Sequence, residues 1–222
     1  MLIEPNSCLF AYAITRDFGF APNPFHGICT LATCKPQIRK TAKLGDWILG
    51  IGGSSLPEVK RRCLLLMKVE EKVSFQEYWE HERFSLKKPV RNGSRVQMLG
   101  DNIYHKDRNG NWIQEDSHHS NPDGTPNLVN LRVDTGITDQ VLISHCFLYF
   151  GDKAASVDLE SIGYGRRIRG HRKIYLSDSK EARDQIASMF REYKSYINMV
   201  VSDPCQFTDS HQRVDQDTGK IH

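Results

Sequence analysis

Two polar stretches hold most of the side chains in this sequence that are able to do chemistry. They are Gly100-Asp101-Asn102-Ile103-Tyr104-His105 and Asp116-Ser117-His118-His119-Ser120-Asn121. Imidazole exchanges protons near neutral pH, so His118 and His119, with Asp116 and Tyr104, form the candidate catalytic set. Amides carry a donor and an acceptor side by side, which suits reading a nucleobase edge, and Asn102 and Gln114 are the candidates. Tyr104 or Trp112 supplies a flat face for stacking. Between the stretches, Asp107-Arg108-Asn109-Gly110-Asn111 has the turn residues of a hairpin. Such a hairpin sets 102–104 beside 112–114 and points both arms at one ligand. The competing reading is a solvated loop whose Asn and Asp residues only make turns.

Two smaller segments add candidate binding residues. Asn23-Pro24-Phe25-His26-Gly27 is pinned by prolines, so Asn23 and His26 are held rigidly, whether for a ligand or only as an anchored turn. Gly163-Tyr164-Gly165-Arg166-Arg167-Ile168-Arg169-Gly170-His171 sets cations between glycines. Arg166, Arg169 and His171 are candidates to hold phosphate, against the alternative of a solvated basic turn. The order of residues is neither that of a P-loop nor that of a dinucleotide fingerprint. A metal site would draw on Asp116, His118 and His119 with a distant His26 or Asp101. Adjacent histidines in an extended segment point apart, and no H-E-x-x-H or H-x-H spacing is present, so no metal is expected. Cys29 and Cys34 lie near His26, but a nucleophilic thiol needs exposure and a neighbouring cation. Thr30-Leu31-Ala32-Thr33 between them reads as packed backbone, so both thiols are expected to be buried.

The elements that must position these groups are short. Residues 8–15 and 46–51 read as buried strands, with a helix from Pro36 to Lys43 between them that Gly45 ends. Residues 63–69 read as a third strand. Ser74 and Glu77 form a capping box for a helix through Trp79. Residues 141–150 read as one continuous strand, and 173–176 as a short one. Ala182, Ile186, Met189, Phe190, Tyr193, Ile197 and Val200 recur at helical spacing after an Asp178 cap. Even β-α alternation is missing. The expected fold is therefore α+β: a small curved or barrel-like mixed sheet with packed helices and a long C-terminal helix. One domain over 1–204 carries a long polar insertion at about 87–140. Residues 205–222 read as a polar, peripheral tail.

Composition narrows the class. Net charge is +3, too mild for non-specific nucleic-acid binding but compatible with an anionic ligand. Six cysteines without a C-x-x-C pair fit reduced thiols in the cytoplasm. No basic-then-apolar leader and no ~20-residue apolar run is present, so no membrane is expected.

Several of these motifs resemble one family. The run from Arg16 to Gly27, Cys29 to Pro36, Gly45-Asp46-Trp47, Gly100 to Tyr104, Asp116 to Ser120 and the Arg169-Gly170-His171 turn are similar to the phage and bacterial nucleotide modification associated domain, second type. The resemblance covers most of 9–175 and implies a setting of DNA base modification, including phage and bacterial defence, rather than a defined reaction. Gly45-Asp46-Trp47-Ile48 is more weakly similar to barrels of the pseudouridine-synthase-archaeosine-transglycosylase type, whose relatives bind modified bases. The implied function is binding of, and action on, a base in DNA or a free nucleotide. The alternatives are a non-catalytic reader of modified bases and a metal-dependent nucleotide hydrolase. A nucleotide or nucleic acid is the expected partner, and no particular cofactor is implied.

Overall fold

The computed structural model describes residues 3–165 and 170–222. Its elements in order are β1 (Cys8–Ile14), β2 (Cys29–Leu31), α1 (Pro36–Thr41), β3 (Trp47–Gly52), β4 (Cys63–Lys68), β5 (Glu71–Ser74), α2 (Phe75–Glu80), α3 (Arg95–Met98), β6 (Tyr104–Lys106), β7 (Trp112–Gln114), α4 (Leu128–Thr135), β8 (Gln140–Ser144), β9 (Phe147–Tyr149), β10 (His171–Tyr175) and α5 (Lys180–Glu192). The fold is α+β. The largest sheet has the order β10-β1-β3-β4-β9, a second β2-β8-β5, and β6 pairs with β7 alone. β1 and β3 run parallel while their other neighbours are antiparallel, so the large sheet is mixed. The edge strands β9 and β10 do not pair, so the mixed sheet stays open rather than closing into a barrel.

Both faces of the large sheet are covered, which is why its strands read as unbroken apolar runs. Phe10, Tyr12 and Ile14 face Cys29, Leu31 and Ile38, while Leu9 and Ala11 face the α5 residues Ala182, Ile186 and Phe190. Two sequence expectations need correction here. The 141–150 run is two strands in different sheets, broken where Ser144 Oγ and Cys146 N bond to each other across His145. The α5 cap is Ser179, whose hydroxyl accepts from Ala182 N, and the helix stops at Glu192, short of Ile197 and Val200.

The polar insertion is ordered around a third core. Phe18, Phe20 and Phe25 of the proline-rich loop are buried with Leu99, Ile103 and Tyr104. A buried ionic cluster ties the same two segments. Lys87 Nζ donates to the Asn23 and Ile28 carbonyls and to Asn23 Oδ1, and Asp101 accepts from Thr30 and Tyr78. Burial pulls the Lys87 amine down to about 8, although the Asp101 charge opposes it. The capping box Ser74–Glu77 and the 107–110 hairpin turn form as the sequence requires.

Candidate active site

Cys34 sits where β2 gives way to α1. Cys34 and Lys35 both take the left-handed conformation, with φ of 57° and 41°, before Pro36 starts the helix. Two successive non-glycine residues there are strained unless surrounding groups hold them. Cys34 N donates to Asp134 Oδ1 at 2.7 Å, and Cys34 O accepts from Arg39 Nε at 2.9 Å. The buried Arg39 guanidinium also bonds the carbonyls of Asp134 and Gln140, which locks α1 to the end of α4. The turn leaves the Cys34 side chain half-buried at a cleft rather than inside the core. That corrects the expectation of a packed, inert thiol.

His119 lies in a tight turn stabilised by Ser117 and Ser120. The turn overrides the geometry assumed from sequence. His118 and His119 are not splayed apart as in a strand; their rings lie 6.2 Å apart and both pack on Phe20. His119 Nδ1 is 2.9 Å from Asp134 Oδ2, and Nε2 is 3.9 Å from Cys34 Sγ. An acceptor-only carboxylate at Nδ1 makes that nitrogen the donor, so Nε2 faces the sulfur.

Asp134 is the hub. Its carboxylate accepts from His119 Nδ1, Tyr104 Oη, Cys34 N and Gln216 Nε2, which fills its acceptor sites. Burial works to push this carboxyl up, but the charge and hydrogen bond of His119, the Arg39 charge and the Gln216 bond hold it below the usual range. Burial likewise works against charge on His119, yet Asp134 and Cys34 prevail and raise it to about 9. His118 goes the other way. Burial and the neighbouring His119 charge push it well below 6.5, and its Nδ1 meets Gln212 O at 2.7 Å. Two adjacent histidines therefore hold opposite protonation states at neutral pH.

Cys34, His118 and His119 line a cleft of about 210 Å³ whose wall also includes Tyr12, Arg16, Phe18, Phe20, Lys35 and Gln216. The Lys35 amine stands 5.0 Å from the Tyr12 ring centre. The Tyr12 hydroxyl is buried and has no hydrogen-bond partner among the described residues. The cleft joins aromatic faces to cations, a surface suited to a flat anionic molecule.

The other sequence candidates take different places. Tyr104 and Gln114 are buried behind the site, where Gln114 Nε2 bonds Tyr104 Oη and His119 O. Neither presents a stacking or reading face to the cleft. Asn102 is buried with its amide on Tyr78 O, and Trp112 packs edge-on against Phe75. Asn23 bonds Leu99 O and Lys87 inside the loop, and the exposed His26 borders a separate hollow. Asp116 is exposed and pairs with Arg213. His171 packs near Phe10. Arg166 and Arg169 lie outside the described residues. Among the described residues, no group of three or more His, Cys, Asp or Glu side chains is placed to hold a metal ion. No helix there is long and apolar enough to cross a membrane. Asp134 and Gln216 were missed from sequence, and Cys34 was weighed there but set aside as buried. The one available signal was Lys35-Pro36, a helix start directly after a cysteine.

Fold and site together define an α+β protein in which a cysteine, a histidine and an aspartate meet at a cationic, aromatic cleft. The chain matches the family described as nucleotide modification associated domain 2 over residues 6–211 and belongs to it. No curated protein and no solved structure matches the chain.

Proposed function

We propose that this protein is a nucleotide-modifying enzyme in which Cys34 attacks the substrate, His119 moves the proton and Asp134 orients the imidazole. The observation that carries the reading is the relay of Asp134, His119 and the Cys34 sulfur at the cleft wall. A nucleophile, a base within reach of it and a third group fixing that base form the recurring design of covalent catalysis. In this reading the attacking species is the thiolate form of Cys34, with the protonated His119 imidazole facing it. The sulfur forms a bond to an electrophilic carbon of the nucleotide. The displaced electron pair moves to that carbon's oxygen or nitrogen, which takes the proton from His119 Nε2. An incoming nucleophile, water or an amine, then displaces the sulfur: its bond to that carbon forms, the C–S bond breaks with its electron pair going to sulfur, and the nucleophile's proton returns to His119 Nε2. Arg16 and Lys35 hold the phosphate, and Phe18 and Phe20 flank the base. The neutral His118 stiffens the wall between Phe18 and Phe20.

The test is to incubate wild type and Cys34→Ala with free nucleotides and with oligonucleotides carrying modified bases, and to follow products and intact protein by mass spectrometry. The expected result is turnover or a covalent adduct on Cys34 in wild type, and neither in the variant, with binding retained. Equal turnover in the variant refutes the thiol chemistry. Binding without product in both proteins favours a reader of modified bases.

A further inference from the structure

Beyond the family-matched region, the chain returns to the cleft and docks on it. Residues 213–222 close into a hairpin. Arg213 and His222 exchange backbone bonds of 2.7 and 2.8 Å, and Asp215 Oδ1 accepts from the amides of Asp217 and Thr218. The hairpin buries little apolar surface of its own. Val214 is buried, whereas Ile221 is largely exposed. Directed bonds hold it instead, and their partners are the residues that build the site. Val214 N donates to His118 O at 2.8 Å. Asn130 grips the strand from both sides, with its Nδ2 on Val214 O and its Oδ1 accepting from Gln216 N, each at 2.8 Å. Asn127 bonds Asp215, Arg213 pairs with Asp116, and Arg16 donates to Gly219 O at 2.7 Å.

These bonds deliver one side chain to the relay. Gln216 Nε2 lies 3.0 Å from Asp134 Oδ1 and 3.3 Å from His119 Nδ1. His119 Nδ1 already donates to Asp134 Oδ2, so it has no lone pair to offer. The Gln216 amide therefore donates to the carboxylate and covers the Asp134–His119 pair from the cleft side. We propose that residues 212–222 are a strap that completes the catalytic site, with Gln216 as a positioning residue that fixes the Asp134 carboxylate and keeps water from the relay. This rests on the thiol reading above and adds to it a segment expected from sequence to be peripheral.

The direction of the effect follows from hydration. Water admitted beside the pair weakens both the burial penalty and the Asp134 attraction. The net elevation of His119 then shrinks from about 9 toward 6.5. The groups facing His119 are Asp134, Cys34, His118, Phe20 and Gln216, and only Gln216 is altered.

The experiment uses the full chain with Gln216→Ala, Gln216→Glu and the exposed strap control Lys220→Ala. Two readouts apply: the His119 imidazole titration by NMR, and the rate of Cys34 alkylation by iodoacetamide across pH. A lost hydrogen bond to a charged group corresponds to about tenfold or more. Gln216→Ala is expected to lower the His119 midpoint by a pH unit or more and to slow alkylation near pH 7 about tenfold. The two rates should converge above about pH 9, where His119 has lost its proton in both proteins. Gln216→Glu sets a carboxylate beside the protonated imidazole, so its His119 midpoint should not fall as in Gln216→Ala, whereas Lys220→Ala should match wild type. An unchanged midpoint and rate in Gln216→Ala overturns the strap while leaving the thiol reading intact. A wild type whose Cys34 is no more reactive near pH 7 than the other cysteines overturns both.

Discussion

Raising the pH from 6.5 to 9.5 should cost wild type a stabilisation that His119→Gln never had. In the folded protein His119 is raised to about 9, against 6.5 when free. A raised cationic group stabilises the fold fully below its unfolded value, and that stabilisation is lost as pH climbs through its folded value. At about 1.4 kcal/mol per pH unit, the separation is worth about 3 kcal/mol, counted once for the His119–Asp134 pair. Lys87 works in the opposite sense in an overlapping window. Its amine is depressed to about 8 against 10.5, so the fold gains stability between those values. The two nearly cancel between about pH 8 and 9, and the wild-type curve alone misleads. The Cys29 thiol, pushed up to about 12 by burial, adds a loss above pH 9. Subtracting the His119→Gln curve removes these shared contributions, because glutamine keeps a donor for Asp134 without titrating. Urea unfolding followed by tryptophan fluorescence at half-unit pH steps gives both curves. The advantage of wild type over the variant should shrink by about 3 kcal/mol between pH 6.5 and 9.5. A difference that stays flat across that window would show that His119 does not hold its proton against Asp134, and the relay as described would fall.

Other outcomes follow from the same geometry. Of the six cysteines, Cys34 should be alkylated first by iodoacetamide at neutral pH, because Cys8, Cys29 and Cys63 are buried, burial and Glu70 push Cys146 up, and burial and Asp17 push Cys205 up to about 12; peptide mapping reads the order. Asp134→Asn should lower turnover by about 10²- to 10⁴-fold by freeing the imidazole. It should also destabilise the fold by about 3 kcal/mol or more, because an amide cannot accept from four donors; thermal unfolding checks this. Arg16→Ala or Lys35→Ala should each weaken binding of an anionic nucleotide about tenfold and flatten its salt dependence, measured by calorimetry at two ionic strengths. Lys87→Met should destabilise by about 3 kcal/mol or more, since Asp101 and the Asn23 and Ile28 carbonyls lose a buried partner; urea midpoints read this.

Local rules carried the sequence reading where one segment settles its own structure. The apolar runs at Cys8–Ile14 and Cys63–Lys68, the Ser74–Glu77 box, Pro36 at the head of α1 and the hairpin turn at 107–110 each depend on neighbours a few residues away. The family resemblance and the prominence of His118 and His119 came from the same reading. The break inside 141–150 did not, because apolarity alone cannot say that two halves of a run join different sheets. The site lay further out of reach. Cys34, His119 and Asp134 are separated by 85 and 15 residues, and Gln216 stands 82 beyond Asp134. Each taken alone is an ordinary residue in an ordinary segment. A left-handed turn at Cys34 and a serine-braced turn at His119 aim the two side chains at each other, and a buried arginine fixes the helix end that carries the carboxylate. Those orientations exist only once the cores close around them, so tertiary packing alone turned a buried-looking thiol and a peripheral-looking tail into parts of one site.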